Sequence, residues 1–155
     1  MATLRRLMSG AGIPLDTVRA TNAEFVKRQP LVAVFVGGTS GIGEYSVLAL
    51  ARTHGTSGKG LRVYIVGRNE RAAERTFEEC RRVCPSGNFE FVKANDLALM
   101  KDVDDVCARL IKAEETASGK AKIDILVMTQ AYLAFEPRNG KSCSFLLENY
   151  SNRRE

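Results

Sequence analysis

The chain has 155 residues, of which 45% are hydrophobic and 26% are charged, a balance that argues against a disordered protein and fits one folded domain with a single core. No apolar run approaches the roughly 20 residues that a membrane-spanning helix needs, and the N-terminus lacks the apolar stretch of a secretory signal, so we expect a cytoplasmic protein with no membrane partner. The net charge of +5 has its excess in residues 1–30 and 136–155, which leaves the part between near neutral, so nucleic acid is not an expected partner either.

The residues between these ends alternate between apolar runs and helical patterns. Residues 31–36 form a continuous run rich in β-branched side chains, typical of a strand buried on both faces. Further strands are predicted at residues 61–66, 89–93 and 123–129, and helices at residues 42–53, 70–83 and 99–114, with a loop at 116–122. Alternation of this kind predicts an α/β fold, with a parallel sheet packed between helices.

The two ends are predicted to lie outside this unit. Residues 1–30 read as an N-terminal extension, a loose segment and then a short helix near residues 17–28 that ends before Pro30. Residues 136–155 show no usable periodicity and are rich in Ser, Asn, Arg and Glu, so we expect an irregular tail. The folded domain would therefore occupy residues 31–135.

The cysteines and the histidine give no metal site. Cys80 and Cys84 stand one helical turn apart with no second pair nearby, and Cys107 and Cys143 are isolated, so we expect small buried or half-buried hydrophobic residues. Without a signal peptide, a disulfide framework is not expected. The lone His54 is expected at the surface, because no acid or nucleophile pattern surrounds it.

The turn after the first strand carries three glycines, Gly37, Gly41 and Gly43. A buried strand precedes them and an amphipathic helix follows, which is the context that makes a glycine motif informative. The first would let the chain turn sharply, the second would let the main chain approach a pyrophosphate, and the third would let the helix pack on the sheet. The helix N-terminus would direct its N–H groups at the phosphates, with the hydroxyls of Thr39 and Ser40 as further donors. The alternative is a tight turn with no ligand.

This Gly-x-x-x-Gly-Ile-Gly spacing, which includes Ile42, resembles the short-chain dehydrogenase/reductase family over about residues 17–138, although Val36 stands where the family usually has Thr. The sequence of residues 32–43 and 66–70 is most similar to a fungal branch of this family that is often found in secondary metabolism. The resemblance implies a partial Rossmann-like, doubly wound parallel sheet of about four strands in the order 3-2-1-4.

The end of the second strand indicates which dinucleotide is bound. An NAD enzyme carries an acid near this point to accept hydrogen bonds from the ribose 2′-hydroxyl. Here Arg68 and Asn69 occupy the place, and no acid occurs before Glu70. Because a guanidinium pairs with a 2′-phosphate, NADP is predicted over NAD. The alternative is a solvated surface arginine.

Two further contacts follow from the resemblance. Asp96 would hold the adenine amino group, and Leu97 would line the pocket. Asp96 is also predicted as the N-cap of a helix beginning near Ala98, and both roles can hold. After the fourth strand the family shows Asn-Asn-Ala-Gly, whereas residues 128–132 read Met-Thr-Gln-Ala-Tyr, so Gln130 is expected to replace one amide.

The resemblance also implies a catalytic Ser and a Tyr-x-x-x-Lys pair, in which Tyr is the general acid or base. The sequence offers only Tyr150 with Arg154, preceded by Ser142 and Ser144. A helix and a strand, roughly 30 residues, should separate the fourth strand from that Tyr. We therefore predict no catalytic residue, and a chain that lacks the catalytic half.

Without a fifth strand, the fourth strand would be a bare edge. Ile123, Ile125 and Val127 would expose apolar surface there, which predicts low stability, aggregation, or shielding by the tail or by a homo- or hetero-oligomeric partner.

Together these patterns predict an NADP-dependent oxidoreductase of short-chain type with an unidentified carbonyl or alcohol substrate, in secondary-metabolite biosynthesis. The alternatives are a catalytically inactive NADP-binding module and a truncated remnant.

Overall fold

The computed structural model describes residues 12–130. Its helices are α1 (Leu15–Arg28), α2 (Gly41–His54), α3 (Glu70–Val83) and α4 (Met100–Ser118), and its strands are β1 (Leu31–Val36), β2 (Leu61–Gly67), β3 (Asn88–Lys93) and β4 (Ile125–Met128). The tail predicted at residues 136–155, Cys143 and the first residues of the extension lie outside the described residues.

The four strands form one parallel sheet in the order β3-β2-β1-β4, which confirms the predicted topology. In its register, Leu31 of β1 lies opposite Leu61 of β2, and Ala33 of β1 lies opposite Ile125 of β4. The direction in which successive strands are added reverses at β1, because β2 and β3 lie on one side of it and β4 on the other. Ligand crevices of open α/β sheets form at the carboxyl ends of the strands beside such a switch point.

Each face of the sheet has its own core, because side chains of a strand alternate between faces. One core joins β1, β2 and β3 to α1, α2 and α3, and it contains Ala33, Phe35, Val63, Val47 and Phe77. The other joins β1, β2 and β3 to α4, and it contains Val34, Tyr64, Val66, Val106 and Leu110. The fold is therefore the predicted Rossmann-like α/β arrangement with helices on both faces.

The helix predicted near residues 17–28 is confirmed as α1 and begins slightly earlier, directly after Pro14. Val26 is its buried side chain and belongs to the core beneath α2 and α3. The described part of the extension is thus packed against the domain through one side of α1.

Two predicted boundaries are wrong. The fourth helix continues to Ser118 and ends at Gly119, which adopts a left-handed conformation (φ 74°), so the first residues of the predicted loop are helical. The fourth strand begins only at Ile125. Its preceding residue, Asp124, contacts β1 through main chain and side chain, since its N–H donates to the Val32 carbonyl at 2.9 Å and its carboxylate accepts the Val32 N–H at 3.0 Å.

His54 is fully buried, so its predicted surface position is wrong. Its Nε2 accepts the Gly60 N–H at 3.2 Å, and its Nδ1 lies 3.4 Å from Cys84 Sγ. The loop after α2 folds back over the imidazole, and a Cβ atom at Gly58 would overlap the ring. This lone histidine therefore organises the connection between α2 and β2.

The described cysteines divide between the core and the surface. Cys80 and Cys84 are buried, as predicted. Cys107 is exposed, so the prediction that it is buried or half-buried is wrong. Cys107 differs because it lies on the outer face of α4, next to the buried Val106. Burial raises the pKa of the Cys80 thiol to about 11, with Cys84 adding to the effect, so Cys80 is protonated at neutral pH.

The β4 edge exposes a different set of apolar side chains from the predicted one. Ile125 and Val127 pack against the core, which corrects the prediction for these two, while Ile123, Leu126 and Met128 are 49%, 58% and 63% exposed. The alternation of side chains along a strand explains this, since Ile125 and Val127 share the face of Ala33 and Phe35.

Within the described residues, no helix combines the length and apolarity needed to cross a membrane.

Candidate functional site

The glycine turn between β1 and α2 has the backbone that the sequence predicts. Gly37 and Gly41 adopt φ values of 91° and 57°, in the left-handed region that side chains disfavour. The Gly37 N–H donates to the Val66 carbonyl at 3.0 Å, which ties the turn to the end of β2. A Cβ atom at Gly41 would meet nothing within 4 Å, so the main chain there borders open space.

Gly43 is the point of closest approach between α2 and the sheet. A Cβ atom at Gly43 would overlap the Gly37 carbonyl oxygen and lie 2.6 Å from Thr129 Oγ1. Any larger residue would push the helix N-terminus away from β1 and from the chain that leaves β4. The packing role predicted for this glycine is confirmed.

The N-terminus of α2 offers free hydrogen-bond donors. Ser40 precedes the helix in an extended conformation, and its side chain makes no capping hydrogen bond. The N–H groups of a first helical turn lack intrahelical acceptors, and the helix dipole places partial positive charge beside them. This terminus can therefore bind an anion.

A cleft of about 740 Å³ opens at the carboxyl ends of the strands, within the range of about 300–1,000 Å³ typical of small-molecule sites. Most predicted site residues line it: Gly37, Thr39, Ser40, Ile42, Gly43, Arg68, Asp96, Leu97 and Gln130. The sequence reasoning missed Val66, Gly67, Ala94, Asn95, Ala98 and Thr129. Most of these lie at or just beyond strand ends, so the expected position of the crevice was the signal that could have found them.

Gly41 and Asn69 are not among the lining residues of this cleft. Gly41 shapes the turn. The Asn69 side chain accepts the Ala72 N–H at 3.1 Å as the N-cap of α3. Asn69 therefore fixes the backbone from which the preceding Arg68 projects.

Arg68 is an exposed residue directly after β2, on the wall of the cleft. Among residues 12–130 it has no carboxylate partner. Its neighbour Gly67 leaves room for Thr39, because a Cβ atom at Gly67 would lie 3.2 Å from Thr39 Cγ2. A guanidinium and a hydroxyl thus belong to the same part of the cleft.

Asp96 is not the N-cap of α4. Its carboxylate accepts the Ala98 N–H at 3.0 Å, which closes a short turn, while the cap of α4 is Leu99, without a side-chain bond. The Asp96 N–H donates to the Asp102 carboxylate at 2.8 Å. The turn delays the helix by two residues and holds the Asp96 side chain at the cleft.

The chain leaving β4 completes the wall. The Thr129 N–H donates to the Val36 carbonyl at 2.9 Å, and the Thr129 hydroxyl lies 3.2 Å from the Gly37 carbonyl oxygen. Gln130 is exposed and lines the cleft. The residues considered for catalysis, Ser142, Ser144, Tyr150 and Arg154, lie outside the described residues.

A buried polar cluster lies beneath α4 and takes no part in this cleft. Tyr64 and Arg62 both donate to one carboxylate oxygen of Glu114, each at 2.8 Å. Burial, followed by the hydrogen bond to Glu114, raises the pKa of the Tyr64 hydroxyl. Tyr64 is therefore a protonated structural residue.

Two curated fungal proteins are similar to this chain. The short-chain dehydrogenase/reductase SAT2 of Stachybotrys chartarum is 42% identical over 120 residues, covering 76% of this chain and 34% of that protein. The oxidoreductase AN1596 of Emericella nidulans is 33% identical over 146 residues, covering 92% of this chain and 40% of that protein. The chain thus spans between 34% and 40% of the length of these relatives.

Among solved structures, L-sorbose reductase from Gluconobacter frateurii, complexed with NADPH and L-sorbose, shares the fold. The TM-score is 0.54 at 21% identity, and the match covers 76% of this chain and 39% of that one. No protein-family model matches the chain.

Proposed function

Because the chain belongs to the short-chain dehydrogenase/reductase family, we propose that its folded domain binds NADP(H) as part of a reductase that acts on a carbonyl or alcohol. The observation that carries this proposal is the convergence of the glycine turn, Arg68 and Asp96 on one cleft at the carboxyl edge of the sheet. When bound, the cofactor supplies or accepts a hydride; the residues of this chain bind and orient it.

The diphosphate would rest at the N-terminus of α2. The main chain at Gly41 borders open space, the Ser40 side chain makes no capping hydrogen bond, and the helix dipole favours negative charge. The Thr39 and Ser40 hydroxyls line the same cleft and are available as donors.

The adenosine half would lie across the ends of β2 and β3. Arg68 would pair with the 2′-phosphate through a charge-assisted contact, and its exposed position leaves the guanidinium accessible. The Asp96 carboxylate accepts hydrogen bonds only, so it suits the adenine amino group, with Leu97 as the apolar neighbour. Gln130, beyond β4, would contact the other end of the dinucleotide.

The activity of the whole protein is proposed from the similarity of its sequence to known proteins. Its relatives are named as a dehydrogenase/reductase and an oxidoreductase, and the sequence is most similar to a fungal branch often met in secondary metabolism. We therefore propose a carbonyl reductase of secondary-metabolite biosynthesis. A second candidate is an NADP-binding module without turnover, favoured because no Tyr-x-x-x-Lys occurs in the sequence.

Titration of the chain with NADPH, followed by cofactor fluorescence, tests the proposed binding. We expect saturable enhancement in the parent chain and none in Gly41→Asp, which adds a side chain and a negative charge beside the diphosphate. Gly119→Asp is the matched control, because Gly119 also has a positive φ and open space around its Cα but lies at the end of α4. No enhancement in the parent, or equal enhancement in both variants, would contradict the proposal.

Turnover by the chain itself tests the second candidate. We expect the 155-residue chain to bind NADPH but not to oxidise it with a panel of aldehydes and ketones. Consumption of NADPH by the pure chain would reject the binding-only module and show that a proton donor other than Tyr-x-x-x-Lys operates.

A further inference from the structure

Thr129 lies where β4 ends, next to the glycine turn. Its N–H donates to the Val36 carbonyl at 2.9 Å. Its hydroxyl lies 3.3 Å from the Val36 carbonyl oxygen and 3.2 Å from that of Gly37, so its single proton is shared between these acceptors. One residue of the sheet edge thus contacts both the end of β1 and the first glycine of the turn.

The Gly37 carbonyl is confined on two sides. Gly43 approaches it so closely that a Cβ atom there would overlap the oxygen, and a Cβ atom at Gly37 would lie 2.9 Å from Thr129 Oγ1. Because the peptide unit is planar, fixing this oxygen fixes the orientation of the whole Gly37–Gly38 peptide.

The orientation of that peptide matters for an anionic ligand. Gly37 lines the cleft, and glycine permits backbone rotations that other residues resist. A carbonyl oxygen carries partial negative charge, so a peptide rotated toward the cleft would oppose a diphosphate there. A hydroxyl that donates to the oxygen keeps it directed toward β4.

We propose that Thr129 is a positioning residue for the diphosphate, which acts by holding the Gly37 carbonyl away from the cleft. This inference rests on the proposed binding of NADP(H). It adds that the chain leaving β4, and not the glycines alone, sets the affinity of the turn for phosphate.

The test compares two substitutions at one position by titration with NADPH. Thr129→Val keeps the branched shape and removes the hydroxyl, and we expect it to raise the Kd about three- to tenfold, the range of one net hydrogen bond. Thr129→Ser keeps the hydroxyl, and we expect a Kd within about twofold of the parent value. Thr116→Val is the control, because it removes an exposed hydroxyl that bonds to the Lys112 carbonyl within α4, away from the turn.

A second ligand separates positioning from general loss of structure. Adenosine 2′-monophosphate carries the phosphate proposed for Arg68 but no diphosphate, so its Kd should be the same in the parent and in Thr129→Val. Loss of binding for both ligands would assign Thr129 a merely structural role and overturn the inference. Thr129→Ala repeats the test if the valine variant unfolds below the titration temperature.

The outcomes distinguish the two proposals. If the parent binds NADPH and Thr129→Val binds it equally well, the positioning role is wrong and the proposed function stands. If the parent binds no NADPH, the proposed function fails and the inference fails with it.

Discussion

Arg68 is the residue on which the proposed preference for NADP depends. It follows Gly67, whose main chain approaches Thr39, and Asn69 fixes the backbone after Arg68 by capping α3. The sequence predicts a contact between Arg68 and the 2′-phosphate from the position of Arg68 after a buried strand. The structure adds that the capping bond of Asn69 holds the adjoining main chain in place.

We expect Arg68→Asp to raise the Kd for NADPH by about tenfold or more, equivalent to about 1.4 kcal/mol or more, because a charge-assisted contact is replaced by repulsion of the 2′-phosphate. Binding of NADH should change far less, since a carboxylate can accept a hydrogen bond from the 2′-hydroxyl. Paired titrations at one ionic strength measure both constants. Arg71→Asp, the same charge change at an exposed position of α3, should leave both near the parent values, and equal weakening of the two cofactors by Arg68→Asp would reject the preference for NADP.

At the scale of elements, the connection from α2 to β2 depends on a residue whose role the sequence did not reveal. A histidine before a glycine-rich segment reads as a surface residue, because local pattern does not show that the loop returns over the ring. In the structure His54 is fully buried and accepts the Gly60 N–H, and the Gly60 carbonyl in turn accepts the Leu31 N–H at 3.0 Å. The loop thereby joins α2 to the beginnings of β1 and β2.

His54→Ala should lower the free energy of unfolding by about 2–4 kcal/mol, because it leaves a cavity and removes the acceptor of the partly buried Gly60 N–H. Urea unfolding followed by circular dichroism measures the loss. Arg52→Ala, an exposed position on the same helix, is the control. NADPH affinity should persist in the folded variant, since this loop and the cleft lie at opposite ends of the strands; a loss below about 0.5 kcal/mol, the usual size of a surface effect, would contradict a structural role for His54.

The attachment of β4 depends on a carboxylate. Asp124 accepts the Val32 N–H at 3.0 Å and pairs with Lys122 at 2.7 Å. Burial alone would raise the pKa of Asp124, but the bonds from Lys122 and Val32 outweigh it, so the pKa lies below its ordinary value of 3.8. The charged carboxylate therefore stabilises the fold above pH 3.8, and this contribution is lost as the pH falls through the lowered pKa.

We expect Asp124→Asn to reduce the free energy of unfolding by about 1 kcal/mol at neutral pH, since the amide can still accept the Val32 N–H but not pair with Lys122. The difference from the parent should shrink below pH 3.8. Urea unfolding at a series of pH values measures it, with Asp104→Asn, an exposed position on α4, as control. A difference that is independent of pH would show that the charge plays no part.

At the scale of the whole molecule, the buried runs were enough to predict a parallel sheet packed between helices, and the glycine turn was enough to predict where the cleft begins, because hydrophobic periodicity and glycines are local signals. The strand order and the contacts of Asp96, Leu97 and Gln130 came from the family resemblance that the glycine turn carries. The features that sequence reasoning did not find include three side chains that bond to main chain outside their own element: Asp124 accepts the Val32 N–H, His54 accepts the Gly60 N–H, and Thr129 donates to the Gly37 carbonyl. Local pattern cannot locate such partners, because they lie in another strand, turn or loop.

The edge of the sheet predicts how the molecule behaves in solution. Within residues 12–130, β4 pairs with β1 alone, and Leu126 and Met128 are more than half exposed. An edge strand with apolar side chains promotes association between copies, so we expect the apparent mass of the 155-residue chain in sedimentation equilibrium to rise with concentration. Leu126→Glu should weaken this association by adding a charge to the edge, whereas Phe25→Glu, the same change at an exposed position of α1, should not. A parent chain that stays monomeric at all concentrations, or equal effects of the two variants, would show that the β4 edge does not drive association.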